Sequence, residues 1–198
     1  MTVTASGVTF LREFLRDPLH TASLIPSSRS LSREATAPVP ATGDPVVVEL
    51  GPGTGACTDV IVERLGGRGH HLAVELNPRL AEHVARRHPG LDVAVADAWS
   101  LPELLAERGL DRVDVVVSGL PWAAYPASGR TLPEMIAATL GPDGTFTQFG
   151  YAFTSQLPPA RRLRRQIGDV FAHVERGRAV LSNVPPAFVL TARGPRHR

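Results

Sequence analysis

There is no lysine in this chain: all 21 basic side chains among its 198 residues are arginine. Every cationic contact is therefore open to two-pronged pairing with phosphate or carboxylate. A single cysteine, Cys57, excludes an intrachain disulfide and accords with a reducing compartment. It stands where a helix should begin and reads as a small core-facing residue, the alternative being a thiol whose pKa the helix end lowers. No stretch approaches the roughly 20 apolar residues of a membrane-spanning helix. Arg12, Glu13, Arg16 and Asp17 interrupt any apolar run near the start, which argues against a secretory signal. The seven histidines are scattered, and no Cys/His cluster has metal-ligand spacing.

What the chain does have is a run of β-branched residues, Val46-Val-Val48, feeding a glycine-rich turn, Glu49-Leu-Gly-Pro-Gly-Thr-Gly55. This reads as a buried parallel strand that delivers its end to a nucleotide. The following segment, Ala56 to Leu65, opens as a helix whose free N–H groups face that ligand. Such a turn also serves dinucleotide enzymes, and Gly51, Gly53 and Ala56 fit that relaxed pattern. Three later strand ends carry the discrimination. His71-Leu-Ala-Val-Glu75 ends in an acid suited to a ribose diol, 24 residues beyond Gly51. Val93-Ala-Val-Ala-Asp97 ends in an acid placed to accept from an adenine amino group, and Val113 to Ser118 leads into Gly-Leu-Pro-Trp122. Singly, Glu75 reads equally well as a helix cap and Asp97 as a loop acid.

Taken together, ELGPGTG, AVELNP, VADAW and SGLPW resemble the ordered motifs of class I S-adenosylmethionine-dependent methyltransferases, over roughly residues 46–151. The resemblance implies S-adenosyl-L-methionine as cofactor and S-adenosyl-L-homocysteine as product. It implies that Glu49, Gly51, Gly53, Thr54 and Gly55 cradle the methionine part, and that Glu75 with Leu76 holds the ribose. Asp97 with Ala98 would hold the adenine, and Ser118 and Gly119 would complete the pocket.

The net charge of +2 hides an uneven distribution. Residues 34–159 hold eight arginines against 15 acids, whereas residues 160–198 hold nine arginines against two acids. An acidic body with basic ends suits an anionic partner; a solvated helix face with a basic tail is the plainer account. On a helix over residues 8–17, Val8, Phe10, Leu11, Phe14 and Leu15 gather into an arc of about 160°, with Arg12 and Arg16 on the other side. Pro18 ends it. Such a helix suits either packing on the sheet as a lid or lying on an anionic lipid surface.

FLREFLRDP, LIPSSRSLSR and the late NVPPAFV narrow the resemblance to the small bacterial phospholipid N-methyltransferases, from Phe10 to Val189. These act on phosphatidylethanolamine and its mono- and dimethyl derivatives towards phosphatidylcholine. The resemblance is more distant to the rRNA adenine dimethylases, whose Asn-x-Pro-Phe/Tyr is here Ser118-Gly-Leu-Pro121-Trp122. It implies a cytoplasmic enzyme held peripherally on the inner membrane face through Phe10, Leu11, Arg12, Phe14, Leu15 and Arg16. Ser28 and Arg29 would take the lipid phosphate, with Arg161, Arg162, Arg164 and Arg165 as a blander second set. A lipid amine and an anionic phospholipid surface are the implied partners, with nucleic acid not favoured. Leu120, Trp122, Tyr125 and Tyr151 would form the methyl-transfer site. A lipid amine has a pKa of about 10 and is protonated at neutral pH, so the site must desolvate it or accept its proton. Aromatic faces favour the methylated cations at roughly 0.5–2 kcal/mol each. RNA adenine N6-methylation, small-amine N-methylation and a cofactor-binding protein without catalysis are the other functions to weigh.

The order of elements predicts a Rossmann-like α/β fold: a seven-stranded, mostly parallel sheet with an antiparallel last strand, and helices on both faces. An amphipathic helix and lid segment over residues 1–35 should precede the methyltransferase domain of residues 36–198. Strands are expected near 46–50, 71–76, 93–97, 113–118, 144–151, 173–181 and 187–192, the last two forming a hairpin at a sheet edge.

Overall fold

A computed structural model describes residues 27–121 and 129–196. Helix α1 (Arg29–Ala35) leads into β1 (Val46–Leu50), α2 (Ala56–Leu65), β2 (His70–Glu75), α3 (Pro78–Arg87) and β3 (Asp92–Val95). Then come α4 (Leu101–Glu107), β4 (Val113–Ser118), α5 (Leu132–Thr139), β5 (Leu140–Tyr151), α6 (Pro158–Val170), β6 (Phe171–Arg176) and β7 (Ala187–Pro195). The seven strands form one sheet in the order β3-β2-β1-β4-β5-β7-β6. β1 to β5 pair in parallel, and β7 runs antiparallel to both its neighbours. The expected hairpin exists, but β7 lies inside the sheet and β6 forms the edge. Strand β7 bonds along most of its length to β5, from Thr145–Arg193 to Tyr151–Ala187. That pairing leaves β6 only the outer side.

The local signals explain the elements. Valine runs make β1 and β4, where branched side chains pack well on a pleated surface buried on both faces. Asn77 caps α3 through its side chain, with Pro78 at the first helical position. Thr131 and Glu134 close a reciprocal capping box on α5. Gly55 and Gly66 bracket α2 in the left-handed conformation.

The two faces of the sheet carry separate cores. On one, Leu31 and Ala35 of α1 and Cys57, Ile61 and Leu65 of α2 pack on Val47, Val115, Val117 and Val189. On the other, α4, α5 and α6 cover Val48, Leu50, Val116 and Phe146, with the Phe146 and Phe171 rings stacked 5.9 Å apart. Each fully buried Leu, Ile or Phe contributes about 1.5–3 kcal/mol. The buried Thr147 hydroxyl donates to the Ala35 carbonyl at 2.8 Å, so α1 is fixed to the middle of β5 as part of the sheet's cover. In α6, Leu163 and Ile167 are buried, Arg161 and Arg165 are exposed and Arg162 and Arg164 half-buried. The four arginines therefore do not share one groove.

At the N-terminal edge of the strands, Asp92 takes two hydrogen bonds from Arg108, at 2.6 and 2.9 Å, and lies 2.9 Å from His70 Nε2. This joins the starts of β2 and β3 to the end of α4. The Arg108 guanidinium, helped by His70, holds the Asp92 carboxyl below its ordinary 3.8. Asp92→Asn is expected to cost about 1–2 kcal/mol, a charge-assisted bond discounted for partial exposure. Thermal unfolding followed by circular dichroism should show a melting temperature lower by roughly 2–6 °C. Because the folded-state pKa is depressed, the wild-type advantage is full above the ordinary carboxylate range. It fades as pH falls through the lowered folded value, so the two proteins should converge in acid.

Candidate functional site

The chain reverses its direction of travel across the sheet between β1 and β4, which opens a crevice at their C-terminal ends. Glu49, Gly51, Gly53 and Thr54 line it from the first loop and Gly119 from the second. Phe149 and Ser27 close its sides. Two loops meet here at very short range. The Gly119 N–H donates to the Leu50 carbonyl at 2.8 Å, and a Cβ on Gly119 would stand 2.6 Å from the Gly51 carbonyl oxygen. Gly53 has φ +57°, a conformation that side chains resist, and nothing lies within 4 Å of where its Cβ would be. Backbone is thus bared towards open space beside the N-terminus of α2, an arrangement that welcomes a ligand's polar end.

Glu75 is buried at the end of β2, and both its oxygens hold backbone. One accepts from the Gly53 N–H at 3.0 Å, the other from the Asn77 N–H at 2.9 Å. A carboxylate has about four lone-pair sites, so two remain for hydroxyl donors. Asn77, not Glu75, caps α3. Beside Glu75 the apolar Leu76 is 63% exposed, a free face next to a buried acid. Asp97 is exposed, and its Oδ1 accepts from the Trp99 N–H at 2.9 Å, capping the short turn Ala98–Ser100.

Behind the glycine loop, Glu49 is almost wholly buried. Its Oε2 accepts from the Thr58 hydroxyl at 2.8 Å and lies 3.2 Å from His71 Nε2, out of line for a hydrogen bond. Cys57 sits under the same helix end. Burial, reinforced by the Glu49 charge, pushes its thiol up to about 12, so the alternative of a lowered pKa is overturned. Desolvation, the largest cause, penalises the thiolate at this buried position.

Of the residues assigned to methyl transfer, Trp122 and Tyr125 lie outside the described residues, as do Phe10, Leu11, Arg12, Phe14, Leu15 and Arg16. Leu120 packs on Gly51, its N–H reaches Ser118 Oγ at 3.3 Å, and its carbonyl accepts from Gln148 Nε2 at 2.9 Å. Tyr151 is buried at the end of β5, edge-on to Phe149 and stacked 5.8 Å from Phe153; burial raises its phenol above the ordinary range. Ser28 is a structural group here: its Oγ caps α1 and its N–H donates to Asn183 Oδ1 at 2.8 Å. Arg29 is exposed and paired with Glu63 at 2.8 Å, on the rim of a depression that also borders Thr54 and Ala56.

Sequence reasoning did not assign Ser27, Phe149, Gln148 and Asn183 to the site. Gln148 was detectable as a lone amide in an otherwise apolar strand end; the Asn183 contact spans 155 residues and left no local signal.

Gly119→Ala puts a methyl group against the Gly51 carbonyl. It should weaken S-adenosylmethionine binding by at least about tenfold, ~1.4 kcal/mol, in isothermal titration calorimetry. Unchanged affinity in a folded variant would show the close passage to be dispensable. Cys57 should react with a disulfide reagent only after denaturation in guanidinium, in a spectrophotometric thiol titration.

No profile of a known protein family matches the chain. It is similar to an ornithine lipid N-methyltransferase of Singulisphaera acidiphila, 34% identical over 190 residues that span 93% of this chain and 94% of that one. A ribosomal RNA small subunit methyltransferase A of a Polaromonas species is 40% identical over 140 residues. That match spans 70% of this chain and only 39% of the other protein. Among solved structures, a Listeria monocytogenes protein described as a class I S-adenosylmethionine-dependent methyltransferase superposes with a TM-score of 0.64 at 15% identity. The overlap covers 96% of this chain and 67% of that one and speaks for the fold.

Proposed function

This chain belongs to the S-adenosylmethionine-dependent lipid N-methyltransferases, and from that membership we propose that it methylates the primary amine of a zwitterionic membrane lipid. The observation that carries the reading is the length of the similarity, which spans 93% of this chain and 94% of the lipid N-methyltransferase it resembles. Ornithine lipid is the acceptor supported by the full-length relative. Phosphatidylethanolamine is the acceptor implied by the resemblance of the Pro26-Ser-Ser-Arg29 and Asn183-Val-Pro-Pro186 segments to the phospholipid N-methyltransferases. Both present an alkyl ammonium beside an anion, so one pocket chemistry serves either.

S-adenosylmethionine, the cofactor, supplies an electrophilic methyl group on a positively charged sulfur. The residues of the crevice fit it. Glu49, Gly51, Gly53, Thr54, Gly55, Ser118 and Gly119 would surround its methionine end, where bare backbone and the start of α2 meet a carboxylate-bearing group. Glu75 has acceptor capacity left for two ribose hydroxyls, and the exposed face of Leu76 with Ala98 and Asp97 suits an adenine ring.

The acceptor amine must reach the methyl group with its lone pair free. The Leu120 carbonyl, held by Gln148, keeps a second lone pair and would orient an N–H of the incoming amine. Tyr151 would act as a protonated hydrogen-bonding wall, since burial opposes its ionisation. With Trp122 and Tyr125 it would surround the amine with aromatic faces that tolerate the cationic product. Such a site owes its rate mainly to alignment of nucleophile and methyl group. Arg29 would meet the anion of the lipid head group, exchanging Glu63 for it at small cost, since exposed pairs are weak.

The test is transfer of labelled methyl from S-adenosylmethionine to vesicles containing either ornithine lipid or phosphatidylethanolamine, resolved by thin-layer chromatography. Methylated lipid in at least one vesicle type is expected, and the pattern of products gives the acceptor and the number of transfers. Cofactor-binding protein that labels neither lipid would overturn the reading; label in structured RNA would replace it with adenine methylation.

A further inference from the structure

The rim of the crevice carries an apolar surface that the transfer chemistry does not use. The chain between β6 and β7 turns back at residues 180–186, at the end of the sheet where β1, β4 and β5 also terminate. Leu181 and Val184 on this turn are each 77% exposed. Single exposed apolar residues are unremarkable, but two on one tight, well-anchored turn are not. The turn is held firmly: Val180 bridges Ala187, Asn183 Nδ2 donates to the Pro185 carbonyl at 2.7 Å, and the Ala152 N–H donates to the Pro186 carbonyl at 2.8 Å. That last bond sets the turn beside Phe153, which is 41% exposed.

Phe153 is the outer member of an aromatic series. Its ring stacks on Tyr151, Tyr151 meets Phe149 edge-on at 6.4 Å, and Phe149 lines the cofactor crevice. An apolar path therefore runs from the exposed turn to the site of chemistry. Two further features identify what covers it. Arg178 is exposed on the approach to the turn, and Arg176, the last residue of β6, lies over the Phe188 ring at the start of β7. In addition, the chain enters the described structure at Ser27-Ser28, where Asn183 of this same turn holds the Ser28 N–H. The described chain thus begins at this rim, downstream in sequence of residues 8–17, whose pattern suits an anionic lipid surface.

We propose that Leu181 and Val184, with Phe153 behind them, form a bilayer-docking surface that enters the interface of an anionic membrane and brings the crevice mouth to the lipid head groups. The choice of a bilayer as occupant rests on the lipid-amine reading of the site. Apolar tips flanked by arginine match an interface in which acyl chains lie beneath anionic head groups.

The experiment compares the full chain with its Leu181→Asp/Val184→Asp variant. Both positions are exposed, so folding should be preserved, and S-adenosylmethionine affinity measured by calorimetry verifies it. Co-sedimentation with vesicles of phosphatidylglycerol and phosphatidylethanolamine should show binding weakened at least about tenfold, since two apolar contacts are replaced by two charges of the membrane's own sign. Methylation of vesicle lipid should fall in parallel, while methylation of a short-chain, monomerically dissolved lipid amine stays at the wild-type rate. Unchanged vesicle binding would overturn the proposal. So would an equal loss on the dissolved lipid, because the turn would then belong to the acceptor pocket. If the wild type methylated no lipid amine yet the variant still lost vesicle binding, the docking surface would stand and the lipid-amine reading would fall.

Discussion

The crevice depends on how closely two loops pass one another. Gly51 and Gly119 leave β1 and β4 so near together that a Cβ on Gly119 would stand 2.6 Å from the Gly51 carbonyl oxygen, and the Gly119 N–H to Leu50 carbonyl bond fixes their separation. From this crossing the constraint spreads sideways. The Gly51 N–H donates to the Val74 carbonyl and the Gly53 N–H to Glu75, so the glycine loop is tied to β2 on one side and to β4 on the other. The Glu75 carboxylate, proposed above to meet a ribose, is thereby part of the loop's own scaffold. A site built this way is set by backbone hydrogen bonds between strand ends, which makes it rigid before any ligand arrives.

Beneath the loop lies a polar cluster that stability alone would not call for. Glu49, Thr58 and His71 are withdrawn from water under α2, with Glu49 between the other two. Buried charge is costly unless compensated, and an apolar set of similar volume is often as stable or more so. Its place at the back wall of the crevice accords with the proposed cofactor, whose amino group and sulfur are both cationic and which Glu49 would face. Burial first, and the Glu49 charge second, raise the Cys57 thiol beneath the same helix end.

Much of this was legible in the residues. The valine runs, the glycine turn and the alternation of strands with helices gave the fold, because they follow from local periodicity and from the geometry of strand-to-helix turns. The edge of the sheet was less legible. Whether β7 lies outside or inside β6 depends on long-range pairing with β5, which no local pattern encodes. Cys57 was ambiguous for a related reason: a helix start is visible in sequence, whereas its depth under Ser32 and Glu49 is not. Ser28 and Arg29 attract attention as a motif; the fold uses the first as a cap, and the second pairs with Glu63 across 34 residues. The signals that read true are those whose partners lie within one strand-turn-helix unit.

The bond from the Ser28 N–H to Asn183 joins the beginning of the described chain to its far end. On the ribosome these two groups emerge in that order, separated by most of the polypeptide. Ser27, one residue earlier, forms a wall of the crevice. The glycine loop and the acid of β2 can therefore assemble while synthesis is still under way, but the wall at Ser27 waits for the turn before β7. A nascent chain of this protein carries an open-sided crevice until the turn before β7 is made, and acquires the Ser27 wall and the exposed turn of Leu181 and Val184 in the same event.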